Sequence, residues 1–349
     1  TASSTMLCSI DGGWSSAMLE QAGIDPERLP KIFGCPDIVG NTHGEFARQT
    51  GIDGVPVVAG ASFEQSSALG IGAVKPGLIC DIISFVEPVC TVVRDKFLDK
   101  TRLLETRAWC EQGSWFAENP GFVSGGSYKW LRDNFGKLEM IETADTLRTA
   151  YDLLNEQAGR APAGSGGVIF FPFLSGSMAP EWNRHARGMI TGFTLDHTRN
   201  HIIRAVLEGA AYALRDVIDC MKESGLAVDE IRVVGGGSRS TLMEEIRANV
   251  TGVTVAHSNV FDTAAYGAAL IAAAGEGTFA SPSEAAEACV RIVRRFEPDE
   301  ETKKLYDIQY SNYRTFFDKL KDDFEGLWGV AMPLVKEEKA KRGELEDEE

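Results

Sequence analysis

Apolar and polar positions along this 349-residue chain change period most sharply between Ile231 and Val250. The β-branched run Ile231–Val234 predicts a buried strand, and it stops at Gly235, Gly236 and Gly237. Leu242, Ile246 and Val250 then recur at helical spacing, so a helix follows the turn. Three successive glycines remove every Cβ from that turn, which lets backbone N–H groups approach a ligand closely. The helix aims its unpaired N–H groups and its positive dipole end at the same point. Strand, glycine turn and helix together suit phosphate or the polar parts of a nucleotide; a turn that merely needs glycine is the alternative. The spacing is neither GxGxxG with an acidic residue some way on nor GxxxxGK[ST], so it indicates no dinucleotide site and no P-loop.

Elsewhere the pattern predicts strands alternating with helices. Residues 56–60 form a short strand ending at glycine, and 62–72 a helix of small residues suited to close packing. After a turn at Lys75–Pro76–Gly77, residues 78–84 and 89–93 read as strands. Helices are predicted over 128–135, 144–155, 197–222, 264–274 and 302–327, and strands over 168–171 and 253–256. The long helix at 197–222 carries Ala205, Gly209 and Ala213, which permit a close neighbour. From Lys336 to Glu349 nearly every residue is charged, so the segment from 331 on is expected to be solvated and disordered. Alternating elements indicate an α/β architecture.

Composition narrows the choice of partner. A net charge of −16 and a pI near 4.9 oppose binding to a phosphate backbone, and no basic cluster with interleaved aromatics occurs, so nucleic acid is not expected. No apolar run is long enough to cross a bilayer, and no signal peptide is recognisable. Seven scattered cysteines without a CxxC pair fit a reducing compartment, so a cytoplasmic protein is expected. His197 and His201 stand four apart, but no HExxH pattern accompanies them and no metal site is predicted.

The segment Arg187–His201, continuing through Arg204–Asp216 to the Gly235–Ser240 turn, resembles the FGGY family of carbohydrate kinases, its xylulose- and ribulose-kinase-like members above all. Pro56–Gly60, Glu118–Gly126, Phe171–Gly176 and Asp262–Ala268 match the same family, and the likeness covers about residues 1–330. The resemblance implies two lobes of the actin/Hsp70/hexokinase type, ribonuclease H-like, each a mixed sheet flanked by helices, with ATP and sugar between them. It further implies that residues 1–73 are the end of the N-terminal sugar-binding lobe and 74–330 the C-terminal nucleotide-binding lobe. Gly235, Gly236, Gly237 and Ser238 would cradle adenosine and the α-phosphate, with Arg239 and Asn249 near that pocket. Ser84 would stand at the second phosphate hairpin. ATP with Mg²⁺ would be the donor and a sugar or polyol hydroxyl the acceptor.

Three departures from the family pattern bear on activity. The segment Thr1–Thr5 resembles a late part of the N-terminal lobe, and no counterpart of the first phosphate hairpin precedes it. A complementary chain supplying that lobe, or a homodimer, is therefore expected. Second, Phe63 occupies the position at which the family places its catalytic Asp. Glu64, one residue on, is the candidate substitute base, although one residue rotates a helical side chain by about 100°. Third, Ser84–Phe85 stands where the family reads Gly-Thr, and Glu87 adds negative charge. Phe63 and Phe85 also read simply as core aromatics that fill space. Two functions follow from the resemblance: an ATP-binding lobe of a sugar or polyol kinase, or an inactive pseudokinase with a regulatory or structural role.

Overall fold

The structure, a computed structural model, describes residues 7–10 and 12–342. The segment Thr1–Thr5 and the end of the charged tail, 343–349, lie outside the described residues. The strands are β1 (Ile38–Asn41), β2 (Pro56–Val58), β3 (Gly77–Ile83), β4 (Glu87–Val93), β5 (Glu105–Ala108), β6 (Trp115–Phe122), β7 (Ile169–Phe171), β8 (Met189–Thr191), β9 (Val228–Gly235), β10 (Thr254–Ser258) and β11 (Ile292–Phe296). The helices are α1 (Ser16–Ala22), α2 (Glu45–Thr50), α3 (Phe63–Gly70), α4 (Gly125–Phe135), α5 (Lys137–Thr143), α6 (Ala150–Gly159), α7 (Arg199–Glu223), α8 (Thr241–Thr251), α9 (Thr263–Gly275), α10 (Pro282–Cys289), α11 (Glu300–Leu320) and α12 (Phe324–Arg342). They pack as two units. The first holds residues 1–120, 218–239 and 253–297; the second holds 121–217, 240–252 and 298–349.

The first unit is built on a seven-stranded mixed sheet in the order β11-β10-β9-β3-β4-β6-β5. Its centre is parallel, β3 beside β9 beside β10, and the pairs β10–β11, β3–β4 and β5–β6 are antiparallel. The apolar run of β3 is buried along nearly its whole length, as a central strand covered on both faces requires. Helices α3 and α9 pack on one another so closely that glycine is obligatory at their contact. A Cβ at Gly267 would fall 1.8 Å from the Ser66 carbonyl oxygen, and one at Gly70 would fall 1.9 Å from that of Thr263. The small-residue composition of both helices anticipates this approach. Strands β1 and β2 form a separate antiparallel ribbon, and Ile38, Val39, Val55 and Val57 on or beside it are exposed.

The second unit has an aromatic core. Phe171 stacks on Tyr313 with ring centroids 4.8 Å apart, and Phe173 meets Phe317 edge-on at 5.3 Å. Gly209 lets α7 approach β7: a Cβ there would fall 2.3 Å from the Phe170 carbonyl oxygen. Beside it on α7, the buried Glu208 carboxylate accepts hydrogen bonds from Arg204 Nε at 2.7 Å, Tyr306 Oη at 2.7 Å, Ser165 Oγ at 2.6 Å and the Gly164 N–H at 3.0 Å. A buried charge survives folding only with such a full set of partners.

Several elements differ from the sequence expectation. The helix predicted from 144 begins at Ala150, because Asp152 turns back to accept the Thr149 N–H at 2.6 Å and fixes the start there. The helix predicted over 302–327 breaks at Lys321–Asp323 into α11 and α12. Residues 331–342 of the segment expected to be disordered continue α12, where a Glu337–Lys341 pair one turn apart supports the helix. Among the described residues, no helix is long and apolar enough to cross a membrane.

Candidate functional site

The glycine turn begins where two parallel strands end together. Ile83, the last residue of β3, stands opposite Gly235, the last of β9. Gly235 has φ +91°, and a Cβ on it would fall 2.4 Å from the Ile83 carbonyl oxygen. Glycine is required there by both conformation and space. A short 3₁₀ turn, Gly236–Arg239, follows. Its Ser238 hydroxyl donates to the Gly235 carbonyl at 2.7 Å and locks the turn. Gly236 is exposed, and no atom lies within 4 Å of where its Cβ would be, so its backbone faces open space. Arg239 ends the turn. At the start of α8 the Ser240 hydroxyl caps the Met243 N–H at 3.3 Å, which occupies one of the N–H groups expected to be unpaired.

The β3–β4 hairpin adjoins this turn through the same strand end. Its Ser84 is exposed, and the Ser84 hydroxyl donates to the Val86 carbonyl across the hairpin. Phe85, beside it, is 61% exposed, and Phe63 is 55% exposed. Neither is a core aromatic, in contrast to the space-filling reading of the sequence. Glu87 is fully buried at the first position of β4.

Glu64 is the second residue of α3, half-buried, and its helix is capped by Ser62, whose hydroxyl accepts the Gln65 N–H at 3.3 Å. The rotation that separates Glu64 from Phe63 turns it inward. Its charge acts on Glu118 of β6 and on Arg107 of β5. Arg107 Nη2 lies 2.9 Å from Glu105 and 3.4 Å from Glu118. Burial pushes the Glu118 carboxyl up to about 7; Arg107 opposes that rise, and Glu64 and Glu105 add to it. Two carboxylates thus share one guanidinium with the Glu64 charge nearby, and Glu118 holds its proton near neutrality. Neither Glu118 nor Arg107 stands among the site residues expected from the sequence. A signal for them exists: Glu118 interrupts an apolar strand, and Arg107 stands in the preceding strand with the opposite charge.

Asn249 lies on α8 in the second unit, and its side-chain oxygen accepts the Asp299 N–H at 2.6 Å at the start of α11. Gly235, Gly236, Gly237, Ser238 and Ser84 are brought together at one sheet end; Glu64 lies with the carboxylate cluster of the same unit. Among the described residues, no group of three or more His, Cys, Asp or Glu side chains has the arrangement of a metal site.

Known proteins resemble this chain in sequence and in fold. The C-terminal domain of the FGGY family of carbohydrate kinases matches residues 91–276, and the N-terminal domain of that family matches residues 1–70. The glycerol kinase of Nitratidesulfovibrio vulgaris strain Miyazaki F is 32% identical over 319 residues, covering 88% of this chain and 61% of that protein. The ligand-bound xylulose kinase of Lactobacillus acidophilus superposes with a TM-score of 0.80 at 22% identity, covering 92% of this chain and 64% of that one. The ADP complex of Plasmodium falciparum glycerol kinase superposes with a TM-score of 0.75 at 20% identity, covering 89% and 61%. The fold is therefore the actin/hexokinase-like one that the resemblance implies. The chain spans about 61% of the length of the glycerol kinase it matches. Both family domains match within this one chain, so the comparisons give no support to a second polypeptide that supplies a missing lobe. They give none to the pseudokinase reading either: the relatives are kinases by name.

Proposed function

The chain belongs to the FGGY family of carbohydrate kinases, and from that premise we propose that it serves an ATP-dependent kinase that phosphorylates a hydroxyl of a small polyol or ketose. The observation that carries the reading is the Ile83–Gly235 pairing, which sets the glycine turn and the Ser84 hairpin at adjacent strand ends. Backbone N–H groups of Gly235–Ser238 hold the adenosine side and the α-phosphate of MgATP, with Arg239 beside them. The backbone at Ser84 meets the far phosphates. Asn249 acts indirectly, by tying α8 to the start of α11 through Asp299. Mg²⁺ enters bound to the nucleotide substrate.

Phosphoryl transfer asks the protein for little covalent chemistry. It needs an aligned acceptor and somewhere for the hydroxyl proton to go. Glu64 takes that proton while the acceptor oxygen attacks the γ-phosphorus and ADP leaves. Arg107 and the protonated Glu118 keep the local negative charge from accumulating around Glu64. The named relatives point to glycerol first and xylulose second as acceptors. Seven unpaired thiols and an ATP-dependent reaction fit work in the cytoplasm. A coupled assay of ADP release with glycerol, xylulose or ribulose tests the proposal. Acceptor-dependent ADP formation that falls by roughly 10² or more in Glu64→Gln supports it. ADP release that ignores the acceptor, or that Glu64→Gln leaves unchanged, contradicts it.

A further inference from the structure

The first unit has a half-open cavity of about 800 Å³ that the site above does not use. Cys35 and Cys110 both line it, from loops far apart in sequence. Cys35 is partly exposed to the cavity, whereas Cys110 is 4% exposed and belongs to the hydrophobic core against which Cys35 packs. The Cys35 loop is held on both sides: the Gly60 N–H donates to the Cys35 carbonyl at 2.9 Å, and the Gly34 N–H donates to Asp37 at 2.7 Å. The Cys110 thiol donates to Gln65 Oε1 at 3.8 Å, which holds it on the cavity side of the core where Cys35 packs.

We propose that Cys35 and Cys110 are a reactive thiol pair, oxidised to an intramolecular disulfide by a low-molecular-weight disulfide of the glutathione class that enters the cavity. The Cys35 thiolate attacks one sulfur of the incoming disulfide, forming a mixed disulfide and expelling one thiolate. Cys110 gives its proton to that thiolate and attacks the Cys35 sulfur. The Cys35–Cys110 bond forms, and the second thiolate leaves and takes a proton from water. Two protein thiols are oxidised by two electrons, and one disulfide is reduced to two thiols.

The order of attack follows from exposure, since Cys35 is open to the cavity and Cys110 is buried. The bond from Cys110 holds the Cys35 thiol below its ordinary range, against burial and the nearby Asp37. The same contact, with burial, pushes Cys110 well above the ordinary range. Cys35 is thus the attacking sulfur and Cys110 the resolving one. Cys80 and Cys90, opposite one another on β3 and β4, are wholly buried and out of reach of the oxidant.

The full chain is incubated with oxidised glutathione, quenched by alkylation and mapped by mass spectrometry. Wild type is expected to yield a Cys35–Cys110 disulfide. Cys110→Ser is expected to stop at glutathionylated Cys35, and Cys35→Ser to leave Cys110 reduced. Circular dichroism checks that both variants are folded. The wild-type result stands without them: Cys35 should lose alkylation before Cys8, Cys220 or Cys289. A disulfide between Cys35 and Cys8, which lines the same cavity, overturns the proposal. So does a Cys35 that stays fully alkylatable in excess oxidised glutathione.

Discussion

Glu118 lies 3.4 Å from the Arg107 guanidinium, yet burial outweighs that contact and keeps its carboxyl protonated up to about pH 7. The folded chain therefore holds a proton that the unfolded chain releases near 4.5. Between those values the folded state binds more protons, so stability falls as pH rises through the window. The full effect is at most about 3.5 kcal/mol. Glu118→Gln, neutral at every pH, is expected to remove this slope. Melting curves at pH 5 and pH 8 should converge for the variant and diverge for wild type.

Glu139 behaves with the opposite sign. Arg199 donates to both of its oxygens, at 2.7 and 2.9 Å, and Gln157 donates at 2.7 Å. These bonds, Arg199 foremost, hold its carboxyl down at about 2. That stabilisation is present above the ordinary carboxylate value and is lost as pH falls through the range from 4.5 towards 2. Arg199 is itself partly open to solvent, so Arg199→Met should cost only about 1–2 kcal/mol at pH 7. The same variant should lose most of its sensitivity to acid in this range. Urea unfolding at pH 7 and pH 3 reads both effects.

The contact of α3 with α9 sets a steric prediction. Gly267→Ala and Gly70→Ala each drive a methyl group into a backbone carbonyl, at 1.8 and 1.9 Å, and a backbone yields little. Each is expected to lower stability by about 3 kcal/mol or more, beyond the usual cost of overpacking. Ser66→Ala, which leaves the carbonyl in place and removes only a hydroxyl, should be far milder. Thermal melts of the three variants rank them.

Neighbouring glycines in the turn should respond differently. Gly235→Ala meets the Ile83 carbonyl at 2.4 Å and a positive φ, so it should destabilise the chain by about 1–3 kcal/mol. Gly236→Ala meets open space, so its melting temperature should stay near that of wild type. A comparison of the two separates the glycine needed for the fold from the glycine facing the ligand side.

Much of the first unit's centre is legible in the chain. The Ile231–Val234 run, the glycines after it and the Leu242–Ile246–Val250 stripe locate β9, the turn and α8, because burial on one side writes a period into the sequence. Strands β1, β5 and β11 escape that reading. Glu105–Ala108 and Ile292–Phe296 carry charged residues at the sheet's two edges, where solvent relaxes the pattern. The site is legible only in part. Glu64 is found from its place beside Phe63, but its inward direction depends on how α3 is capped at Ser62. Glu118 and Arg107 leave a trace as opposite charges in two successive strands that pair, whereas Cys35 and Cys110 line one cavity only through tertiary packing, which no local pattern records. The exposure of Phe63 and Phe85 is likewise hidden, since an aromatic ring reads as core until its surroundings are known.

Calorimetric titration with MgATP and ADP reads whether the Gly235–Ser238 turn holds nucleotide. Gly236→Arg is the control, because its side chain enters open space and leaves the Gly235–Ile83 pairing intact. Binding by wild type, and its loss in a variant that melts like wild type, is the predicted result. Equal binding by both, or no binding by wild type at millimolar nucleotide, would contradict it.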